Sequence, residues 1–298
     1  MAVRRFGTVI ALIFYNGGVL VVADSRTTMI RTYSPDGIHT KVDIRYDDTA
    51  NKIKMSKDKD VIVAMAGDAA VDTKASKAVA DAEADLKKQS VAGNKSVEGA
   101  VNRVISGMAG YGQALLLIAF RGNDGKIYTK TADVAPPGLV SNGASTKLKD
   151  INKSLARGTD NTVPVYLDSL IAKYSPDDKK RDLADAMALA FMLESKYMKY
   201  QVEIYGKKAI VVGGPIKMHA IDNDRNKDTD VVVDKNERKQ IEGMTYKQLR
   251  DYFADRLKNQ KKNVDMLRIE PEDSLATDKI IQITKEMDRQ KGPWKLQW

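Results

Sequence analysis

The chain of 298 residues contains no cysteine and only two histidines. Without thiols there is no disulfide framework, no Cys-ligated zinc, no iron–sulfur cluster and no Cys nucleophile. His39 and His219 alone cannot form a three-His metal site or an extended His relay. No metal and no cofactor is therefore expected. Aromatic residues make up 6% of the chain, too few for interleaved base-stacking platforms. No apolar run reaches the roughly 18 residues that a membrane-spanning helix needs.

What is present fits a globular protein: 43% hydrophobic and 30% charged residues. The length allows one large domain or one and a half. Lys and Arg number 49 against 40 Asp and Glu, a formal net charge of +9. The two signs alternate, as in Lys57-Asp58-Lys59-Asp60 and Asp177-Asp178-Lys179-Lys180-Arg181-Asp182. A phosphate-binding surface gathers its cations on one face, so this pattern reads as a solvated mixed-charge surface and not as a nucleic-acid site.

Arg4-Arg5 and the apolar run 6–15 resemble a secretory signal, with Val22-Ala23-Asp24 as a crude exit site. The competing reading is a hairpin: Asn16-Gly17-Gly18 separates two β-rich runs, 8–15 and 19–23. The second run is superfluous for a signal, so the hairpin and a cytoplasmic location are expected.

Residues 28–51 are polar and read as a long loop or an excursion hairpin. A second hairpin follows at 52–55 and 60–65; its uninterrupted apolar strand predicts cover on both faces. Val71, Ala75, Val79, Ala82 and Leu86 form one helical stripe, and Val97, Val101, Val104, Ile105 and Met108 another, capped by Ser96. Strands are predicted at 114–120, 126–131, 139–141, 208–212 and 216–221. Helices are predicted at about 146–155, 165–173 and 182–197. Strand groups alternating with helix pairs predict an α+β fold, a four-layer α/β/β/α sandwich. From Asp222 onward the composition becomes charged; a strand at 231–233 and helices at 245–259 and 277–290 are expected. Trp294 and Trp298 close the chain, either folded back or strapped onto a neighbouring subunit.

The nucleophile must come from Ser, Thr, Lys or a carboxylate. His39 reads as a solvated loop residue and His219 as a packed residue at a sheet edge, so a Ser-His-Asp triad has no foundation. The glycines 107, 110 and 112 lack the spacing and the preceding strand of a phosphate loop. There remain Gly7-Thr8, then Ala23-Asp24-Ser25-Arg26, Asn51-Lys52-Ile53 and Met65-Ala66-Gly67-Asp68. A threonine that becomes the first residue can pass its hydroxyl proton to its own α-amine, whose reference pKa is about 7.7–8.0. A lysine beside the hydroxyl adds positive charge, and a carboxylate keeps that lysine protonated. A backbone N–H at a strand-to-helix turn supplies an oxyanion donor.

These segments resemble the proteasome β-subunit family of N-terminal-nucleophile (Ntn) hydrolases over about residues 7–221. Thr8 and Asp24 stand at the family's spacing without a gap. The resemblance implies a sandwich of the Ntn type, a short propeptide at 1–7, a catalytic domain at 8–222 and a mostly helical extension at 223–298. It implies Thr8 as nucleophile after cleavage of Gly7–Thr8, Asp24 and Lys52 as its charged partners, and the Gly67 N–H as oxyanion donor. Thr27, Lys54, Met65 and Ala69 fall on the family's pocket positions, with Met65 as the floor. Asn142 and Glu203 are the nearest matches to its supporting residues. The implied activity is threonine-type peptidase action on unfolded polypeptide inside a self-assembled ring, with an ATP-dependent unfoldase as partner. A catalytically inactive scaffold subunit and a small-amide hydrolase are the alternatives.

Overall fold

In the computed structural model of the protein, residues 2–5, 9–33, 41–67, 72–88, 94–108, 114–134, 149–158, 163–174, 177–205 and 212–267 are described. The chain divides into two compact units, Met1–Ala254 and Asp255–Trp298. Among the described residues no helix is long and apolar enough to cross a membrane.

The first unit is built around two antiparallel five-stranded sheets. One runs β11-β2-β3-β12-β13, where β2 is Val9–Tyr15, β3 Gly18–Asp24, β11 Leu155–Gly158, β12 Ile216–Asp222 and β13 Thr229–Val233. The other runs β10-β9-β8-β7-β6, where β6 is Ile53–Met55, β7 Val61–Gly67, β8 Ala114–Arg121, β9 Ile127–Val134 and β10 Lys149–Asp150. The hairpin read from Asn16-Gly17 is present: Tyr15 pairs with Gly18 across that turn.

Alternation along β7 assigns its faces. Ile62, Ala64 and Ala66 join Ile10, Leu12, Val19, Val21 and Ala23 in a core between the sheets. Val61, Val63 and Met65 join the buried faces of α1 (Asp72–Lys88) and α2 (Asn94–Met108). Both faces of this strand are covered, which is why it reads as continuously apolar. Gly107 lets α1 and α2 approach closely, since a Cβ there would stand 2.7 Å from Ala78 Cβ. On the other sheet, α4 (Leu183–Tyr205) packs against β2, β3 and β12, and α3 (Val163–Tyr174) packs against β11 and α4.

Several expectations need correction. Residues 149–158 are not helical: β10 pairs with the edge strand β9 and β11 with the edge strand β2. Between them Ile151 enters the inter-sheet core, with its N–H donating to Thr129 O at 3.1 Å. Two open sheet edges outweigh local helix propensity there. Helix α2 begins at Asn94, so Ser96 lies within it rather than capping it. His219 is not at an edge, because β12 is flanked by β3 and β13; its Nδ1 lies 2.8 Å from Asp230 Oδ1.

Residues within 28–51 form strands. β4 (Thr27–Tyr33) and β5 (Lys41–Asp47) make a hairpin, and β1 (Ala2–Arg5) adds to β4, pairing Arg5 with Thr28. The composition shift at 222 is not where the contacts divide. Strand β13 completes the first sheet and α5 (Lys235–Ile241), which the sequence reading missed, belongs to the same unit. Helix α6 (Tyr246–Leu267) starts in that unit, where Leu249 and Phe253 are fully buried. His39, the expected strands at 139–141 and 208–211, the expected helix at 277–290 and both tryptophans lie outside the described residues.

Candidate active site

Asp24 ends β3, opposite Ile216 of β12 and next to the start of β2. Lys52 immediately precedes β6, and its carbonyl accepts the Met65 N–H at 3.0 Å, which fixes it to β7. The two sheets thus deliver one residue each to the same point. Lys52 Nζ donates to Asp24 Oδ1 at 2.9 Å, and neither side chain is exposed.

Three backbone donors complete the carboxylate. Val9 N–H reaches Oδ1 at 3.1 Å; Gly213 and Arg26 N–H reach Oδ2 at 3.0 and 3.2 Å. Burial pushes the Asp24 carboxyl up, opposed by the Lys52 charge and by these hydrogen bonds. Burial likewise pushes the Lys52 ammonium down, opposed by Asp24 and by Glu194. Four donors on one carboxylate favour its ionised form, and that anion in turn favours the ammonium.

The donor Gly213 belongs to a loop held by charged side chains. Arg26 donates Nε to Asp48 Oδ1 at 2.7 Å and reaches the Val212 carbonyl at 3.5 Å. Lys235 of α5 lies 2.9 Å from the other oxygen of Asp48. The Arg26 and Lys235 charges bring the Asp48 carboxyl down to about 2. On the other side, Arg238 forms a forked pair with buried Glu194 and donates to the Gly214 carbonyl at 3.1 Å.

The expected site residues are distributed as follows. Asp24 and Lys52 are brought together. Gly67 ends β7 with φ of 144°, a conformation that favours glycine. Thr27 is buried at the start of β4 and Lys54 is half-buried in β6. Met65 is 1% exposed within the cluster formed with α1 and α2. Glu203 is exposed on α4. Thr8, Ala69 and Asn142 lie outside the described residues.

Glu194, Asp48, Gly213 and Arg238 were missed. A signal for one existed: Met187, Ala190, Phe191 and Glu194 share the helical spacing of the core stripe, and a carboxylate on such a stripe requires a buried partner.

Asp58, Asp60 and Glu83 could converge on a cation, but Lys87, Arg121 and Arg225 already neutralise them. That group is a salt-bridge cluster. What the Asp24 centre can do is hold one ammonium, dry and oriented, on the carboxylate oxygen that also accepts the Val9 N–H.

No family model matches the chain, and no curated protein does. Among solved structures the chain is similar to Anbu (ancestral beta-subunit) from Yersinia bercovieri. That likeness has 13% identity, covers 90% of this chain and 99% of that chain, and has a TM-score of 0.47. A likeness of that extent assigns no residue a role.

Proposed function

We propose that this protein is a threonine-type N-terminal-nucleophile peptidase built on a four-layer α/β/β/α sandwich. The observation that carries the reading is the shared oxygen Asp24 Oδ1, which accepts both the Lys52 ammonium and the N–H of Val9, the residue after Thr8. What supports the reading is that the residue following the candidate nucleophile in sequence shares a carboxylate oxygen with a buried, oriented cation.

Hydrolysis of Gly7–Thr8 takes up one water, leaving a carboxylate on Gly7 and a free α-amine on Thr8. Thr8 Oγ then attacks a substrate carbonyl, and its proton passes to that amine. The Gly67 N–H is the donor assigned to the oxyanion. The scissile C–N bond breaks as the amine returns the proton to the leaving nitrogen. Water hydrolyses the resulting ester and regenerates the hydroxyl. Lys52 stays an ammonium throughout and favours the alkoxide developing at Thr8. Thr27, Lys54 and Ala69 remain the pocket residues in this reading, and Asn142 the support of the amine.

In the same reading such a centre works within a ring of copies in the cytoplasm, acting on unfolded polypeptide fed by an ATP-dependent unfoldase. The test is the intact mass of the purified native protein. Loss of residues 1–7 and an N-terminal Thr8 are expected; an active preparation retaining Met1 or Ala2 overturns the assignment.

One observation favours the scaffold alternative: residues 2–5 are paired with 28–31 of β4, so the leader is held in a sheet. In that reading Thr8→Ala changes neither assembly nor activity. A panel of peptide and acyl-amide substrates separates the peptidase from a small-amide hydrolase.

A further inference from the structure

The Glu194–Arg238 pair has no part in the mechanism above, yet it is buried beside the centre. Glu194 of α4 is 1% exposed and Arg238 of α5 is 9% exposed. A buried ion pair is a poor device for stability alone, since apolar residues of similar volume often serve as well or better. Its position supplies another role. Arg238 Nη1 donates to both Glu194 Oε1, at 2.9 Å, and Gly214 O, at 3.1 Å. The peptide preceding Gly214 is the one that follows the Gly213 N–H donor to Asp24 Oδ2.

The loop needs such a hold. Gly213 and Gly214 have φ of 154° and 74°, and glycine samples many other conformations. Ser25 N–H donates to Gly213 O at 3.2 Å, and Arg26 Nη1 reaches the Val212 carbonyl at 3.5 Å. Arg238 secures the remaining carbonyl. Helix α5 itself starts on a firm cap: Asp234 Oδ1 accepts the N–H groups of Asn236 and Glu237, both at 2.8 Å.

We propose that Arg238 and Glu194 are positioning residues, a clamp that seats the Gly213 N–H on Asp24 and so holds the Lys52–Asp24 pair in its reactive arrangement. Helix α5, which lies past the composition shift at 222, thereby belongs with this centre. The catalytic side of this inference rests on the reading of Thr8 as nucleophile; the clamp itself does not.

The charged groups acting on Lys52 are Asp24 from β3, Arg26 just after β3 and Glu194 from α4, while Arg238 acts on Asp24 from α5. Removing the Glu194 charge leaves Arg238 uncompensated and disfavours the ammonium.

Two readouts test the proposal on the full chain. The first is amide exchange across residues 212–216. The second is the pH profile of covalent modification by a peptidyl β-lactone, followed by intact mass. In that reaction the Thr8 Oγ–carbonyl bond forms, the lactone C–O bond opens, and the hydroxyl proton ends on the freed alkoxide. Arg238→Gln is expected to accelerate exchange in 212–216 and to slow acylation about a hundredfold, the scale on which displacement of a reacting group by about 1 Å acts. Glu194→Gln is expected to move the alkaline limb of the acylation profile to lower pH. Because an unpaired buried charge can unfold the protein, the paired variant Glu194→Leu with Arg238→Met is measured as well, with the same two effects expected in a folded molecule. Unchanged exchange in 212–216 together with an unchanged profile overturns the clamp. If the unsubstituted protein is not acylated at Thr8, the nucleophile assignment fails, while exchange in the variants still decides whether Arg238 holds Gly213.

Discussion

Lys52 and Asp24 form a fully buried ion pair at 2.9 Å that bridges the ends of two different sheets. Removing one partner leaves a charge stranded in an apolar interior, which costs about 3–5 kcal/mol. Lys52→Met and Asp24→Asn should each lower the unfolding free energy by that order, read from denaturant midpoints. The double variant should be more stable than the sum of the two single losses implies, because neither charge is then left alone. In the catalytic reading all three lose activity alike, since the pair acts as a unit. A double variant as destabilised as the summed singles would show that the residues do not interact.

Much of this arrangement was legible in the residues. Asn16-Gly17 fixed one hairpin, and the apolar run of β7 announced a strand covered twice. Asp24 and Lys52 could be singled out through the resemblance carried by Ala23-Asp24-Ser25-Arg26 and Asn51-Lys52-Ile53. The segment 149–158 was not legible, because its strands exist only through pairing with the distant edges β9 and β2. Arg238 was hidden for a related reason. It sits in a charged stretch that reads as solvated surface, and only tertiary packing brings it onto Glu194, 44 residues earlier.

Gly213 and Gly214 should not tolerate a side chain. A Cβ on Gly213 would stand 2.8 Å from Arg26 Cζ, and on Gly214 2.9 Å from Asp48 Cβ. Both also lie in backbone regions that L residues avoid. Gly125, at φ of 75°, has nothing within 4 Å and isolates the conformational cost, about 1–2 kcal/mol. Gly213→Ala and Gly214→Ala should therefore lower the melting temperature more than Gly125→Ala. In the proposed catalytic reading they alone should also reduce peptidase activity, because they shift the donor to Asp24. Equal effects at all three sites would mean that the contacts with Arg26 and Asp48 carry no weight.

Asp48 gives acid titration a defined sign. Its carboxyl is held at about 2 by Arg26 and Lys235, below the ordinary value of 3.8. A depressed carboxylate contributes stability that is fully present above the ordinary pKa and disappears as pH falls toward the folded one. Between about pH 4 and 2 the wild-type melting temperature should fall, and Asp48→Asn should flatten that part of the curve. Partial exposure of the pair reduces the size of the effect, not its direction. A variant curve parallel to the wild type over this interval would exclude Asp48 as a contributor.

The leader strand offers a test that needs no substrate. Among the described residues, 2–5 pair only with β4, in a three-stranded sheet separate from the two large ones. A chain beginning at Thr8 removes β1 and nothing from either five-stranded sheet. Because both five-stranded sheets are kept whole, its global stability should stay within about 1 kcal/mol of the parent. Locally, the N–H and C=O groups of residues 28–31 that faced β1 become an open edge, so amide exchange in that segment should rise sharply. The same edge then becomes free to pair with another extended chain, which is the form an unfolded polypeptide presents. Adding an excess of an unstructured peptide should restore protection at 28–31 if that edge is where such a chain docks. Protection that stays lost at saturating peptide, with exchange elsewhere unchanged, would show that β4 accepts the leader alone.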